Sequence, residues 1–183
     1  MSQVVNLEEL FALQKVLDTR IVLEHPIQEG EDRLGKKFLA LSVELYEWIN
    51  ELPETFKYWS NKKNKYEESL KEYVDGLHFI LSIGLELGFD TKQDIHVVYG
   101  TEFLGEESLV GSFHQKFMIF NTLVNKVYVY RDTEPNQHSH KAYVNMLSSY
   151  LKLGEEMGYK TEDVIIYYKH KNEVNHKRQT NNY

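Results

Sequence analysis

Cysteine is absent from the 183 residues, which excludes disulfides, thiolate nucleophiles and thiolate metal ligands. That absence fits a reducing compartment. Proline is scarce, with three residues in the chain. Because proline breaks helix interiors, its scarcity favours long uninterrupted helices. No apolar run approaches the ~18 residues that a spanning helix needs, so no membrane association is expected. The first residues, MSQVVNLEELFALQKVL, lack a basic start followed by an apolar stretch. A secretory signal is therefore not expected, and a cytoplasmic location is. An excess of positive charge is also missing: the net charge of −7 argues against broad nucleic-acid binding. What is present is a hydrophobic fraction of 42%, ordinary for a soluble globular chain with one substantial core.

The periodicity is helical almost throughout, and the expected fold is all-α. Leu7, Leu10, Phe11, Leu13, Leu17 and Ile21 form a stripe over residues 6–24, with Gln14 on or beside it and Asp18 one turn later. Asn6 with Glu9 resembles a capping box, and His25-Pro26 ends the segment. Residues 32–50 form a second helix, with Leu34, Phe38, Leu41, Leu45 and Trp48 as its main face and Leu39, Val43 and Ile49 alongside. Residues 66–88 form a third, with Leu70, Val74, Leu77, Leu81 and Leu85 inward and Gly88 as C-cap. Helices are also expected at 137–158 and from Thr161, as N-cap, to about residue 175. The stretch 92–136 is weakly periodic until Phe113, Phe117, Phe120 and Val124 restore helical spacing. It reads as an inserted, more mobile helical segment between the parts of a rigid core, 1–91 and 137–183.

Two carboxylate pairs stand out. Glu44 and Glu47 are three apart, and so are Glu72 and Asp75, so each pair shares a helix face. Packed together, two such helices would gather four acidic groups that repel one another and resist ionisation. A hard divalent cation such as Mg²⁺ or Mn²⁺ resolves that conflict. One Glu-x-x-Glu pair alone carries little information, since glutamate normally marks a solvent face. A di-iron site would want Glu-x-x-His motifs, and here only Asp75 with His78 provides a carboxylate-x-x-His pair.

Two further groups carry chemistry. Residues 54–65, ETFKYWSNKKNK, combine Phe56, Tyr58 and Trp59 with Lys57, suited to stacking a base and meeting phosphate or, as plainly, to plugging a core edge. Near the end, Lys171, Asn175 and Arg178 fall on one helical face with Asn172 adjacent, a spacing suited to polyphosphate or to a frayed, solvated terminus.

Taken in order, LFALQKVLD, VELYEWIN, KYWS, EYVDGLHF and KNEVNHKRQ resemble the dimeric all-α dUTPases of the all-α nucleotide pyrophosphatase superfamily, and a phage member in particular. The 28 residues from Glu44 to Glu72, repeated from Glu47 to Asp75, agree with that family. The stretch 92–136 carries little of the likeness. Family members usually place a small residue, typically glycine, between the paired glutamates, whereas this chain has Tyr46 and then Trp48.

The resemblance implies hydrolysis of dUTP, with dUDP as a second substrate, to dUMP in the cytoplasm of the cell (the host cell for a phage protein). It implies two or three Mg²⁺ ions on Glu44, Glu47, Glu72 and Asp75, with Glu44 acting on the attacking water. Gln14 and Asp18 would read the uracil edge, Trp59 would sit beside the nucleoside, and His78 and Phe79 near the deoxyribose. Lys57, Lys171, Asn172, Asn175, Arg178 and Tyr183 would face the phosphates. It further implies a homodimer, and a repressor protein as a second partner of some phage members. The nearest alternative is a relative acting on another nucleotide such as dCTP.

Overall fold

The computed structural model describes residues 7–89, 111–132 and 137–181, without the side chains of Gln137 and His138. Among these residues there are α-helices and one 3-10 turn, and no strand. The helices are α1 (Leu7–Glu24), α2 (Arg33–Asn50), α3 (Tyr66–Glu86), α4 (Phe113–Tyr130), α5 (Gln137–Glu156) and α6 (Thr161–Thr180), with the turn at Pro53–Thr55.

The long α3 is the axis of the bundle, packing against α1, α2, α5 and α6. Its sequence explains this place. Leu70, Val74, Leu77, Ile80, Leu81 and Ile83 are buried together with the small Ser69, Gly76, Ser82 and Gly84, so apolar or small residues cover most of its circumference. The small positions admit aromatic rings from α5. Tyr150 Oη donates to the Tyr73 carbonyl at 2.7 Å, Tyr73 Oη donates back to the Tyr150 carbonyl at 3.4 Å, and the two rings stack at 4.5 Å. Tyr143 Oη donates to the Ile80 carbonyl at 2.9 Å. The tips of Tyr150 and Tyr143 lie where a Cβ on Gly76 or Gly84 would stand.

Trp48 joins α2 to the same cluster. It is fully buried, edge-on to Tyr73 and Tyr150, and its indole N–H donates to Tyr159 Oη at 2.8 Å. Tyr159 in turn donates to Ser69 Oγ at 2.7 Å, so both polar tips are satisfied, as buried Trp and Tyr require. The departure at Tyr46 and Trp48 is therefore absorbed by opposite sides of α2: Trp48 is core, and Tyr46 is exposed, edge-on to Phe117.

Helices α3 and α5 end in the same way. Gly88 and Gly158 have φ near +80°, and the amides of Phe89 and Tyr159 bond back to the carbonyls of Gly84 and Gly154. This is a Schellman ending, whose left-handed position glycine adopts without penalty. In both, the next residue (Phe89 or Tyr159) is aromatic and buried.

Several expectations need correction. The last helix runs to Thr180 rather than about 175, because its end docks on α1: Arg20 donates to Thr180 Oγ1 at 2.8 Å, and His25 pairs with Gln179 at 3.1 Å. Its N-cap is Lys160, with Thr161 already helical. Leu39 and Val43 are exposed instead of lying beside the core, since they fall outside the arc that α3 covers. The Asn6 cap lies outside the described residues. Of the segment 92–136, residues 92–110 and 133–136 also lie outside them, while α4 places Phe117, Phe120, Leu123, Val124 and Val127 in the common core.

Replacing Gly84 by alanine tests the interlock. Helix propensity alone would favour alanine by about 1 kcal/mol. The collision with the rigid Tyr143 ring should reverse the sign and cost about 1–3 kcal/mol in urea unfolding. A variant as stable as the parent would show that the ring does not hold that space.

Candidate active site

Helices α1, α2, α3 and α6 enclose an open cleft of about 800 Å³, within the size range of small-molecule sites. Each wall contributes side chains at helical spacing. From α1 come Gln14 and Asp18, from α2 Lys37 and Glu44, from α3 Asp75, His78, Phe79 and Ser82, and from α6 Lys171, Asn175 and Arg178. Most of the residues singled out from sequence are thus brought to one cavity. Glu47, Glu72, Lys57, Trp59 and Asn172 do not line it. Trp59 is exposed and packs on Phe56 and Tyr58, Lys57 lies over the Phe56 ring, and Asn172 is buried. Tyr183 lies outside the described residues.

At one end, Glu44, Glu72 and Asp75 each offer an oxygen, and the three oxygens lie within 4.8 Å of one another. The structure brings these three together, while the exposed Glu47 lines a shallow depression with Glu72, Val43 and Tyr46. Burial and then the charges of Asp75 and Glu47 push the Glu44 carboxyl up to about 7. Burial and then Asp75 and Glu47 also raise Glu72. Asp75 is raised by burial against the opposing pull of Lys171, which donates to its Oδ2. Its Oδ1 is buried with no partner among the described residues. One lysine facing a trio of crowded carboxylates, with one oxygen left unsatisfied, is a donor set that fits a hard divalent cation.

The other end is built differently. Gln14 is buried, donating to Asp18 Oδ1 at 2.7 Å and accepting from Tyr168 Oη at 2.7 Å. Ser82 donates to Asp18 Oδ2 at 2.6 Å, and Lys37 bridges Glu86 at 2.5 Å and Asp18 at 3.6 Å. His78 donates from Nδ1 to the Val74 carbonyl at 2.9 Å, stacks on Tyr168 at 3.9 Å, and leaves Nε2 without a partner among the described residues. Burial pushes its pKa down to about 4, so the ring is neutral at physiological pH.

Lys37, Ser82 and Tyr168 were missed from sequence. A signal existed: Lys37 lies seven residues before Glu44, Ser82 four after His78 and Tyr168 seven before Asn175, each on its helix's cleft-facing side.

An all-helical frame with a carboxylate cluster at one end of a cleft, and lysine, arginine and amide groups along it, has the donors that a hard metal ion and a phosphorylated ligand call for. A family model described as dUTPase matches residues 6–183, and the chain belongs to that family: it is a dUTP diphosphatase. No curated protein matches the chain. None of the described helices is long and apolar enough to cross a membrane.

The raised carboxyls predict a pH dependence. A carboxyl whose folded value lies above its unfolded 4.5 keeps its proton in the folded chain where the unfolded chain has lost it. Its contribution to stability is complete below 4.5 and is lost as pH rises through about 7. In chelator-treated protein, Glu44→Gln should therefore gain stability relative to the parent as pH rises over that window, read as the difference in Tm. A difference flat in pH would mean that Glu44 is not crowded.

Proposed function

We propose that the cleft binds dUTP with its uracil at Gln14 and Asp18, its deoxyribose against His78 and Phe79, and its phosphates between the carboxylates and Lys171, Asn175 and Arg178. The products are dUMP and pyrophosphate, and dUDP is a second substrate. The observation that carries this reading is one cavity with two unlike ends: an amide and carboxylate network at one, and crowded carboxylates beside cationic groups at the other.

In this reading Glu44, Glu72 and Asp75, with Glu47 beside them, hold Mg²⁺, and Mn²⁺ can replace it. The ion, when bound, supplies charge that offsets the phosphates. Glu44, which lines the cleft beside Asp75, is placed to take the proton of the attacking water. Lys171 contributes a point charge and Arg178 a planar fork that pairs two phosphate oxygens. The Phe79 and His78 wall packs closely against C2′ of the sugar, so a ribose 2′-hydroxyl would be excluded by its bulk, which disfavours UTP.

A homodimer belongs to the same reading. Leu39, Val43 and Tyr46 are exposed at helical spacing along α2, an apolar stripe beside Glu47. Sedimentation should find a dimer in the parent, and Val43→Glu should shift it towards monomer. A monomeric parent would remove this part of the proposal.

Asp75→Asn or Glu72→Gln should lower kcat/KM on dUTP by about 10²–10³-fold, with helical content unchanged by circular dichroism. Full turnover by both would sink the metal assignment. Arg178→Ala should act mainly on KM. With a pyrophosphate readout, UTP and thymidine triphosphate should be poor substrates. Equal turnover of all three would point to an unselective nucleotide pyrophosphatase.

A further inference from the structure

Tyr168, Gln14, Asp18 and Ser82 form an unbroken hydrogen-bonded chain from α6 through α1 to α3, at the end of the cleft remote from the carboxylate trio. Its direction is fixed by chemistry. An aspartate carboxylate only accepts, so the amide nitrogen of Gln14, and not its oxygen, must face Asp18. The amide oxygen then points at Tyr168, whose buried phenol donates to it. Both oxygens of Asp18 are engaged, one by Gln14 and one by Ser82. Gln14 Nε2 carries a second N–H, and this is what the amide has to offer a ligand.

We propose that Tyr168 is a positioning residue for base choice: by holding Gln14 Oε1 through its hydroxyl, it presents an N–H to the base edge and so selects uracil over cytosine. This rests on the reading above that Gln14 faces the base. The O4 of uracil accepts from that N–H. Cytosine presents an amino group at the same position, and donor would face donor. Rotating the amide by half a turn would accommodate cytosine, but it would turn Oε1 onto the Asp18 carboxylate and make the Tyr168 hydroxyl accept from Nε2, with only the Leu10 carbonyl at 3.5 Å left to take the phenol proton. Asp18 holds one end and Tyr168 the other. Within the dUTP reading, the buried tyrosine thus acts on specificity without touching the substrate. Its ring has a separate task, stacking on His78 at 3.9 Å and 8°. Phenylalanine at 168 keeps that stack and removes only the hydroxyl.

The test measures kcat and KM for dUTP and dCTP with Mg²⁺ on the full chain, for the parent, Tyr168→Phe, Ser82→Ala, Gln14→Leu and the double variant Tyr168→Phe/Gln14→Leu. Tyr168→Phe should reduce the dUTP-over-dCTP preference about tenfold, through KM, with kcat on dUTP within about threefold. Ser82→Ala, which loosens the Asp18 end, should move the preference the same way by less and serves if the tyrosine variant folds poorly. In the Gln14→Leu background, removing the hydroxyl should change the preference no further, the sign of two residues acting as one unit. A full preference in Tyr168→Phe and Ser82→Ala, while Gln14→Leu loses it, overturns the proposal. An equal loss of kcat on both nucleotides overturns it too, in favour of a structural role. A full preference in Gln14→Leu refutes the placement of Gln14 against the base instead.

Discussion

Like charges held close in a half-buried place set the terms for this molecule. Glu44, Glu72 and Asp75 converge on one point, and burial with mutual repulsion keeps their carboxyls reluctant to ionise. Such an arrangement persists only if the helices that carry it cannot separate. The separation is prevented on the far side of α3. There Tyr73 and Tyr150 exchange hydrogen bonds and Trp48 closes the same aromatic cluster from α2. On α2 Trp48 lies one turn beyond Glu44 on the same face, so the packing of the aromatic core also fixes the helices that carry the acidic groups, and the stability of the first maintains the repulsion in the second.

The cleft divides its chemistry between rigid and adjustable groups. The helices present Gln14, Asp18 and Ser82 in mutual hydrogen bonds, and a network satisfied internally holds its geometry. Lys171 and Arg178 are long and cationic, suited to following a phosphate chain. The docking of the end of α6 on Arg20 and His25 turns what reads as a polar tail into a wall of the site. Within the dUTP reading, selectivity thus resides in the hydrogen-bonded network, and charge compensation in the long cationic side chains of α6.

Much of the site was legible because its signals are local. Residues three or four apart on a helix share a face whatever the helix packs on, so Glu72 with Asp75, and Lys171 with Asn175 and Arg178, could be paired from spacing. The apolar stripes placed Leu41, Leu45, Trp48 and Leu77 in the core for the same reason. Spacing does not say how wide an arc a neighbour will cover. It sets Leu39 and Val43 beside the core, and both are exposed. Nor does it weigh long-range tethers: it ends the last helix near 175, although Thr180 is held by a residue 160 positions away.

Residue spacing is enough to make the chain helical and to set carboxylates in facing pairs, because helix geometry acts over one or two turns. Which members of the pairs meet depends on how the helices pack, and that packing draws Glu44 to Glu72 and Asp75 and leaves Glu47 beside them at a shallow depression. It alone joined Tyr168 to Gln14 across 154 residues. No local rule reaches that far: the contact exists because α1 and α6 pack on the same helix, α3, and the burial of all three leaves each polar tip only the partner within reach.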